Sequence, residues 1–278
     1  MGHPSATRAL VRKVSRSLAA CELRHLPRQI IDLQRAARQH EDYVRALAAA
    51  GVNVTVLPEE PALADSVFVE DPLLVLDEIA ILGRSGAASR EREGELIAPV
   101  IGHFRSLVRI EAPGTLEGGD VLRIGKTLFT GLSSRTNREG IEQLRRLTAP
   151  LGYEVTAVEV RGCLHLKTGA TSPGSGLLLA NPAWIDLSTF RHLEILAVPT
   201  DEPWGANTLS VNDRVLVAAS APKTAGLLRA RGLNVHCVDI SELQKAEAGL
   251  TCLSVLFAGP VVGQSGGLAD HLNEVVYS

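Results

Sequence analysis

Five times along this chain of 278 residues, a stretch that reads as a helix runs into a short β-branched strand. The endings fall at residues 48–58, 104–113, 151–158, 193–199 and 231–238. In three of them a glycine stands between helix and strand, at Gly51, Gly152 and Gly232. A helix stop there calls for a left-handed residue, which glycine adopts without a Cβ clash. Apolar hairpins come before these endings. Residues 67–82 turn around Asp77-Glu78, residues 121–132 around Gly125-Lys126, and residues 209–218 around Asn212-Asp213. The chain is therefore predicted to hold about five strand–strand–helix–strand units of roughly 40–50 residues, a period that makes it an α/β protein with a radial or stacked repeat. The alternative is an ordinary doubly wound sheet. Against it, no Gly-x-Gly-x-x-Gly follows a strand, and hairpins outnumber single crossovers. No linker, low-complexity tract or charge block divides the chain, so residues 1–278 are predicted to be one domain. Segment 258–278 falls outside the repeat. Its start is rich in turn residues, and 268–276 reads as a short helix for surface packing or assembly, or as a frayed end.

Composition narrows the function classes. With 45% apolar and 21% charged residues, the chain has the make-up of an ordinary folded protein. A formal charge of −3 offers no general attraction to nucleic acid or anionic membranes. No apolar stretch approaches the roughly 20 residues of a membrane helix. Residues 1–7 lack the n- and h-regions of a secretion signal, and Ala6 breaks the myristoylation pattern. The expectation is a cytoplasmic protein with a small-molecule partner. Its four cysteines, Cys21, Cys163, Cys237 and Cys252, are too few for a disulfide scaffold. None forms a Cys-x-x-Cys pair, so no structural zinc is expected, and nothing else calls for a metal or a cofactor.

The chemistry begins at Cys252, which follows the loop Ala248-Gly249-Leu250-Thr251 and precedes the apolar run Val255-Leu256-Phe257. His165, in Leu164-His165-Leu166-Lys167-Thr168-Gly169, and the acidic segment Thr115-Leu116-Glu117-Gly118-Gly119-Asp120 have the same look, polar groups at strand ends. A thiol, an imidazole and a carboxylate on separate strand ends are the parts of an activated-cysteine enzyme. Cys163 lies two residues before His165 and on a strand would face the same way. Cys237 reads as a core filler within the strand-like 233–240. Cys21 has no assigned role.

Three carboxylates, Asp65, Glu70 and Asp71, interrupt what reads as a core-like strand over 65–76. Burying unpaired carboxylates is costly, so they need cationic partners or a wet cleft. Glu70 and Asp71 are consecutive, so one must face inward, which favours cation binding over a solvated rim. Arg84 and Arg135 each offer a planar fork matched to a carboxylate, although either alone reads as a surface arginine. Acids for a cation, arginines for an anion and a thiol with a histidine together suit a zwitterionic amino acid with a cationic side chain.

These segments resemble the dimethylarginine dimethylaminohydrolases of the guanidine-modifying (pentein) superfamily. The matches are Asp65-Ser66-Val67-Phe68-Val69-Glu70-Asp71-Pro72, Arg84 with Ser89-Arg90, the stretch from Ala112 to Asp120, Arg135-Thr136-Asn137, 164–169, Ala206-Asn207 and Thr251-Cys252-Leu253-Ser254. Each is weak alone; seven in family order from about Val11 to Phe257 are specific. The resemblance implies a five-bladed α/β propeller that hydrolyses a methylated arginine to citrulline and an amine, as a monomer or homodimer. It implies that Cys252 is the nucleophile, His165 the general acid and base, and Glu117 the group that orients His165. By the same resemblance Asp71 holds the guanidinium, Asp65 and Glu70 lie on the α-amino side, and Arg84 and Arg135 bind the α-carboxylate.

One position departs from the family. The shorter acid expected five residues before the nucleophile is Glu247, and Ala248 follows it in place of glycine. The extra methylene displaces the carboxylate by about 1.5 Å, against a catalytic tolerance of roughly 0.5 Å. Other readings are an arginine deiminase, generally longer and with an extra helical region, an amidinotransferase, or a non-catalytic protein that keeps the fold. A papain-like protease is set aside, because its local nucleophile signature is missing.

Overall fold

The computed structural model describes residues 7–174 and 176–259. The expected helix at 268–276 lies outside the described residues. The elements run β1 (Arg8–Arg12), α1 (Leu33–Ala49), β2 (Asn53–Leu57), β3 (Leu73–Val75), β4 (Ile79–Leu82), α2 (Glu93–Ile101) and β5 (Ser106–Arg109). They continue with β6 (Val121–Ile124), β7 (Thr127–Leu132), α3 (Arg138–Thr148), β8 (Glu154–Glu159), α4 (Leu166–Gly169), β9 (Ala170–Gly174), β10 (Leu177–Ala180) and β11 (Glu194–Ala197). The last are β12 (Leu209–Val211), β13 (Arg214–Ala218), α5 (Pro222–Ala230), β14 (Asn234–Val238), α6 (Ser241–Gln244) and β15 (Val255–Phe257).

The strands form five three-stranded sheets. In each, the middle strand pairs antiparallel on one side and parallel on the other. A hairpin makes the antiparallel pair in four sheets; a crossover is needed for every parallel pair. All five sequence-predicted endings are the parallel edge strands β2, β5, β8, β11 and β14. The glycines before three of them sit at positive φ, +81° at Gly51, +78° at Gly152 and +77° at Gly232. The fourth crossover carries only a short 3-10 turn, Leu187–Phe190, in place of a longer helix.

The inner part of each middle strand is largely apolar because it faces two cores. In β13, Val215 and Val217 join the cluster that holds Leu177 and Leu179 of β10, while Leu216 and Ala218 join the one that holds Ala9 and Val11 of β1. Leu178 and Ala180 of β10 meet Phe129 of β7, and Leu128 of β7 meets Ile81 of β4. Ala80 and Leu82 of β4 then meet Leu10 of β1, which closes the circuit. The period-2 alternation of side chains thus turns five sheets into a ring with a core at each seam, a five-bladed α/β propeller.

Three expectations are corrected. Residues 65–72 are not a strand but consecutive turns, with Phe68 N–H bonded to Asp65 O, Asp71 N–H to Phe68 O and Leu73 N–H to Glu70 O. Pro72 has no N–H for a ladder, so β3 begins after it. The first sheet has no hairpin of its own; β15, from the far end of the described chain, supplies its third strand by pairing antiparallel with β1. Cys237 is exposed, because β14 is an edge strand uncovered on that side, and its Sγ accepts from Arg229 Nη2 at 3.3 Å.

Candidate active site

The residues entering the first strand of each sheet meet at one end of the ring. Asp71 precedes β3, Glu117 precedes β6, His165 precedes α4 and β9, Asn207 precedes β12, and Cys252 precedes β15. Each sheet therefore contributes one side chain, which is why residues so distant in sequence assemble.

Cys252 lies buried in the single turn Thr251–Leu253, and its Sγ accepts the Gly249 N–H at 3.4 Å. Asn207 holds that turn. Its Oδ1 accepts from Thr251 N at 3.2 Å, and its Nδ2 donates to Thr251 Oγ1 at 3.1 Å and to Lys167 O at 2.9 Å. Burial pushes the Cys252 thiol up, Asp71 and Glu70 push it further, and the Gly249 N–H and Lys167 only partly oppose them. The resting group is a thiol.

His165 Nε2 and Glu117 Oε2 are 2.6 Å apart, and His165 Nδ1 stands 3.9 Å from Asp71 Oδ1. The ring lies so close to Gly119 that a Cβ there would come within 2.7 Å of Nδ1 and 2.9 Å of Asp71 Oδ1. Glu117 is fully engaged. Its Oε1 accepts from Ser85 Oγ at 2.5 Å, Gly86 N at 3.2 Å and Arg135 Nη1 at 3.1 Å. Burial alone would hold His165 neutral, but Asp71, the Glu117 bond and Asp120 outweigh it and push the imidazole up to about 9. Burial also opposes ionisation of Glu117, yet His165, Arg90 and Arg135 hold that carboxyl well below its ordinary range.

A stability test follows from the His165 shift. Between about pH 6.5, the unfolded value, and about 9, the folded state keeps a proton that the unfolded state has lost. This contribution is complete below about 6.5 and disappears as pH rises through 9, so unfolding free energy should fall across that window. Denaturant titrations at stepped pH should record the fall, and His165→Gln should remove it. His40, buried and lowered to about 4, acts only in the separate window below 6.5.

Asp65, Asp71, Arg135, His165, Glu247 and Cys252 line one narrow cleft with a volume of about 10 Å³. Two of their carboxylate oxygens, Asp71 Oδ1 and Glu247 Oε2, are buried without a hydrogen-bond partner among the described residues. Arg90 shares the cleft. Its Nη1 donates to Asp71 Oδ2 at 2.7 Å, and its Nη2 donates to Glu93 Oε2 at 2.7 Å. The donor atoms of Asp71, Glu117 and His165 lie within 4.8 Å of one another, as a metal site would need. The guanidinium groups of Arg90 and Arg135 on those carboxylates repel a divalent ion, so the set reads as proton-transfer machinery.

Two sequence-predicted site residues fall outside the cleft. Glu70 pairs with Lys167 Nζ at 2.5 Å and lines a separate cavity of about 630 Å³. Asp71, the next residue, does line the cleft, so the consecutive pair is divided between the two spaces. Arg84 is 37% exposed in its side chain and pairs with Glu91. The sequence alone gives Arg90 and Asn207 no role. An arginine immediately ahead of Glu91-Arg92-Glu93 reads as part of a solvated charge run, and only packing reveals that it is buried.

A buried Cys–His–Glu set at one end of a five-bladed α/β propeller defines a guanidine-modifying enzyme of the pentein type. The family model for N,N dimethylarginine dimethylhydrolase, eukaryotic, matches residues 23–170. The chain is 38% identical over 228 residues to an N(G),N(G)-dimethylarginine dimethylaminohydrolase from Pseudomonas aeruginosa, covering 81% of this chain and 90% of that protein. It is 39% identical over 250 residues to one from Streptomyces coelicolor, covering 89% and 96%. A solved Pseudomonas aeruginosa structure of this type, a cysteine-to-serine mutant complexed with citrulline, superposes with a TM-score of 0.88 at 35% identity, covering 91% of this chain and 100% of that one. The chain belongs to the dimethylarginine dimethylaminohydrolase family.

Proposed function

We propose that this protein hydrolyses Nω-methylated arginine to citrulline and methylamine or dimethylamine, with Cys252, His165 and Glu117 as its catalytic residues. The observation that carries this reading is the pair of unpartnered buried oxygens, Asp71 Oδ1 and Glu247 Oε2, in the cleft with Cys252. Buried acceptors without donors are costly, and a guanidinium supplies N–H groups in a plane that suits two carboxylates. Arrival of that cation also lowers the thiol's pKa, which the surroundings raise in its absence.

The thiol gives up its proton to solvent as the cation settles, and the thiolate attacks the guanidinium carbon to give a tetrahedral adduct. Protonated His165 gives its proton to the departing amine as the C–N bond breaks, leaving a covalent thiouronium on Cys252. Neutral His165 next takes a proton from water, the hydroxide adds to the same carbon, and the thiolate leaves with citrulline as product. Glu117 stabilises the imidazolium in both halves. Asp65, whose carboxyl is raised by burial against the pull of Arg90, flanks the amino-acid end. The relatives' arginine-derived ligands and the unpaired state of all four cysteines fit a cytoplasmic enzyme of arginine metabolism. Citrulline release from arginine, monomethylarginine, asymmetric dimethylarginine and agmatine tests the reading; release from unmodified arginine alone would replace it with a deiminase.

The two arginines separate in this assay. Arg84 lies outside the cleft and holds only an exposed ion pair, which costs little to break. Arg84→Ala should therefore change use of methylarginine and agmatine alike by no more than about 1 kcal/mol. Arg135 is bound to Glu117 as well, so Arg135→Ala should reduce both substrates. A loss on methylarginine that spared agmatine, which has no carboxylate, would instead put Arg84 at the substrate carboxylate.

A further inference from the structure

The cleft around Cys252 is narrow. Its volume of about 10 Å³ holds one water, so a guanidino amino acid enters only if a wall moves. The wall that is least tied to the fold is the segment between Cys21 and α1. Residues 22–31 make no backbone–backbone hydrogen bond among the described residues. Glu22 lines the cleft with Cys252, while Leu26 and Gln29 line a neighbouring cavity of about 380 Å³ that shares Glu247 and Ala248 with the cleft.

Glu22 is tied at the start of this strap, its N–H donating to Asp65 Oδ2 at 3.1 Å and its Oε1 accepting from Ser89 Oγ at 2.5 Å. The rest is held from the approach to the nucleophile. Glu247 Oε1 accepts three successive N–H groups, from Arg24 at 2.9 Å, His25 at 2.5 Å and Leu26 at 2.6 Å. Lys245 Nζ donates to Ile30 O at 2.9 Å, and Glu242 Oε2 accepts from Asp32 N at 2.9 Å. Of these three, only Glu247 also borders the cleft. It adopts φ +60°, a left-handed backbone unfavourable for a residue with a Cβ, and the carboxylate bonds to the strap compensate for it. Its second oxygen is left buried without a partner.

We propose that Glu247 is the positioning residue that latches residues 22–31 over the nucleophile and links closure of the strap to binding of the substrate cation. Oε1 holds the strap; Oε2 takes a guanidinium N–H. The cation fixes the carboxylate in the orientation that grips the strap, and the strap fixes it in the one that receives the cation. The linkage rests on the proposed guanidino substrate, whereas the latch does not. The longer side chain in place of the expected shorter acid is what allows one carboxylate to serve both.

Residue-resolved amide hydrogen exchange tests this in a Cys252→Ser background, where Nω-methyl-L-arginine is not consumed. Without ligand, Glu247→Asp draws the carboxylate back by about 1.5 Å and should speed exchange at Arg24–Leu26 about tenfold or more, with α1 amides unchanged. Unchanged exchange at those three amides would overturn the latch. Should Glu247→Asp loosen α1 as well, Glu247→Gln decides, since it keeps the length and one acceptor and should give an intermediate rate at the strap alone. With methylarginine added, the strap amides should slow further when Glu247 is intact and not in Glu247→Gln. Equal slowing in both would overturn the linkage. Absence of methylarginine binding by calorimetry would remove the proposed substrate, and the linkage with it, while the ligand-free comparison would still decide the latch.

Discussion

Cys252→Ser is expected to lower citrulline formation by about 10⁴-fold or more, the scale on which loss of a nucleophile removes covalent catalysis. The surroundings make the loss severe. Asp71 and Glu70 already oppose ionisation of a thiol there, and a hydroxyl ionises far less readily. The fold should survive, because Asn207 holds the turn through Thr251 and an Oγ can still accept the Gly249 N–H. Melting temperature and methylarginine binding measured alongside turnover would separate chemistry from folding. Mass spectrometry of the wild type under turnover should find the substrate carbon on Cys252. Activity that persisted after alkylation of Cys252 would assign the reaction to another group.

His165→Ala is expected to cost about 10²–10⁴-fold, the usual yield of a general acid and base. Removing the imidazole leaves Glu117 with donors from Ser85, Gly86 and Arg135, so the buried carboxylate is not stranded and the site should remain folded. The pH dependence identifies the proton involved. With His165 at about 9, the acid form needed for amine departure is lost above that pH, so kcat/KM of the wild type should fall on the alkaline side. That limb should be absent from the residual activity of His165→Ala. A limb that survived unchanged would belong to a different group.

Much of the ring was legible in the sequence. Its five edge strands and three of its glycine stops follow from local rules, period-2 apolar runs and left-handed helix ends. The closing strand was not, because pairing of β1 with β15 joins residues at opposite ends of the described chain and leaves no local mark. The site divides the same way. Cys252, His165 and Glu117 were readable because glycines and strand ends frame them, and the structure brings them together. The strand read around Glu70 was not there, because Pro72 and three consecutive turns interrupt it, and Glu70 lines a cavity separate from the cleft. Glu247 was recognised as a departure, but its grip on Arg24–Leu26 depends on a contact across more than two hundred positions.

The strand that completes the ring begins three residues after the nucleophile. Val255 of β15 pairs with Leu10 of β1, and Cys252 sits in the turn that leads into it. Until those two strands zip together, the turn that carries the thiol is held on the Asn207 side and left open on the other, however well the other four blades are formed. A chain emerging from the ribosome would carry its imidazole and carboxylate early and stay chemically silent until the last blade is sealed. Non-local pairing of this kind is slow to find. Recovery of activity on refolding should therefore trail the return of helical signal and keep pace with the joining of β1 to β15.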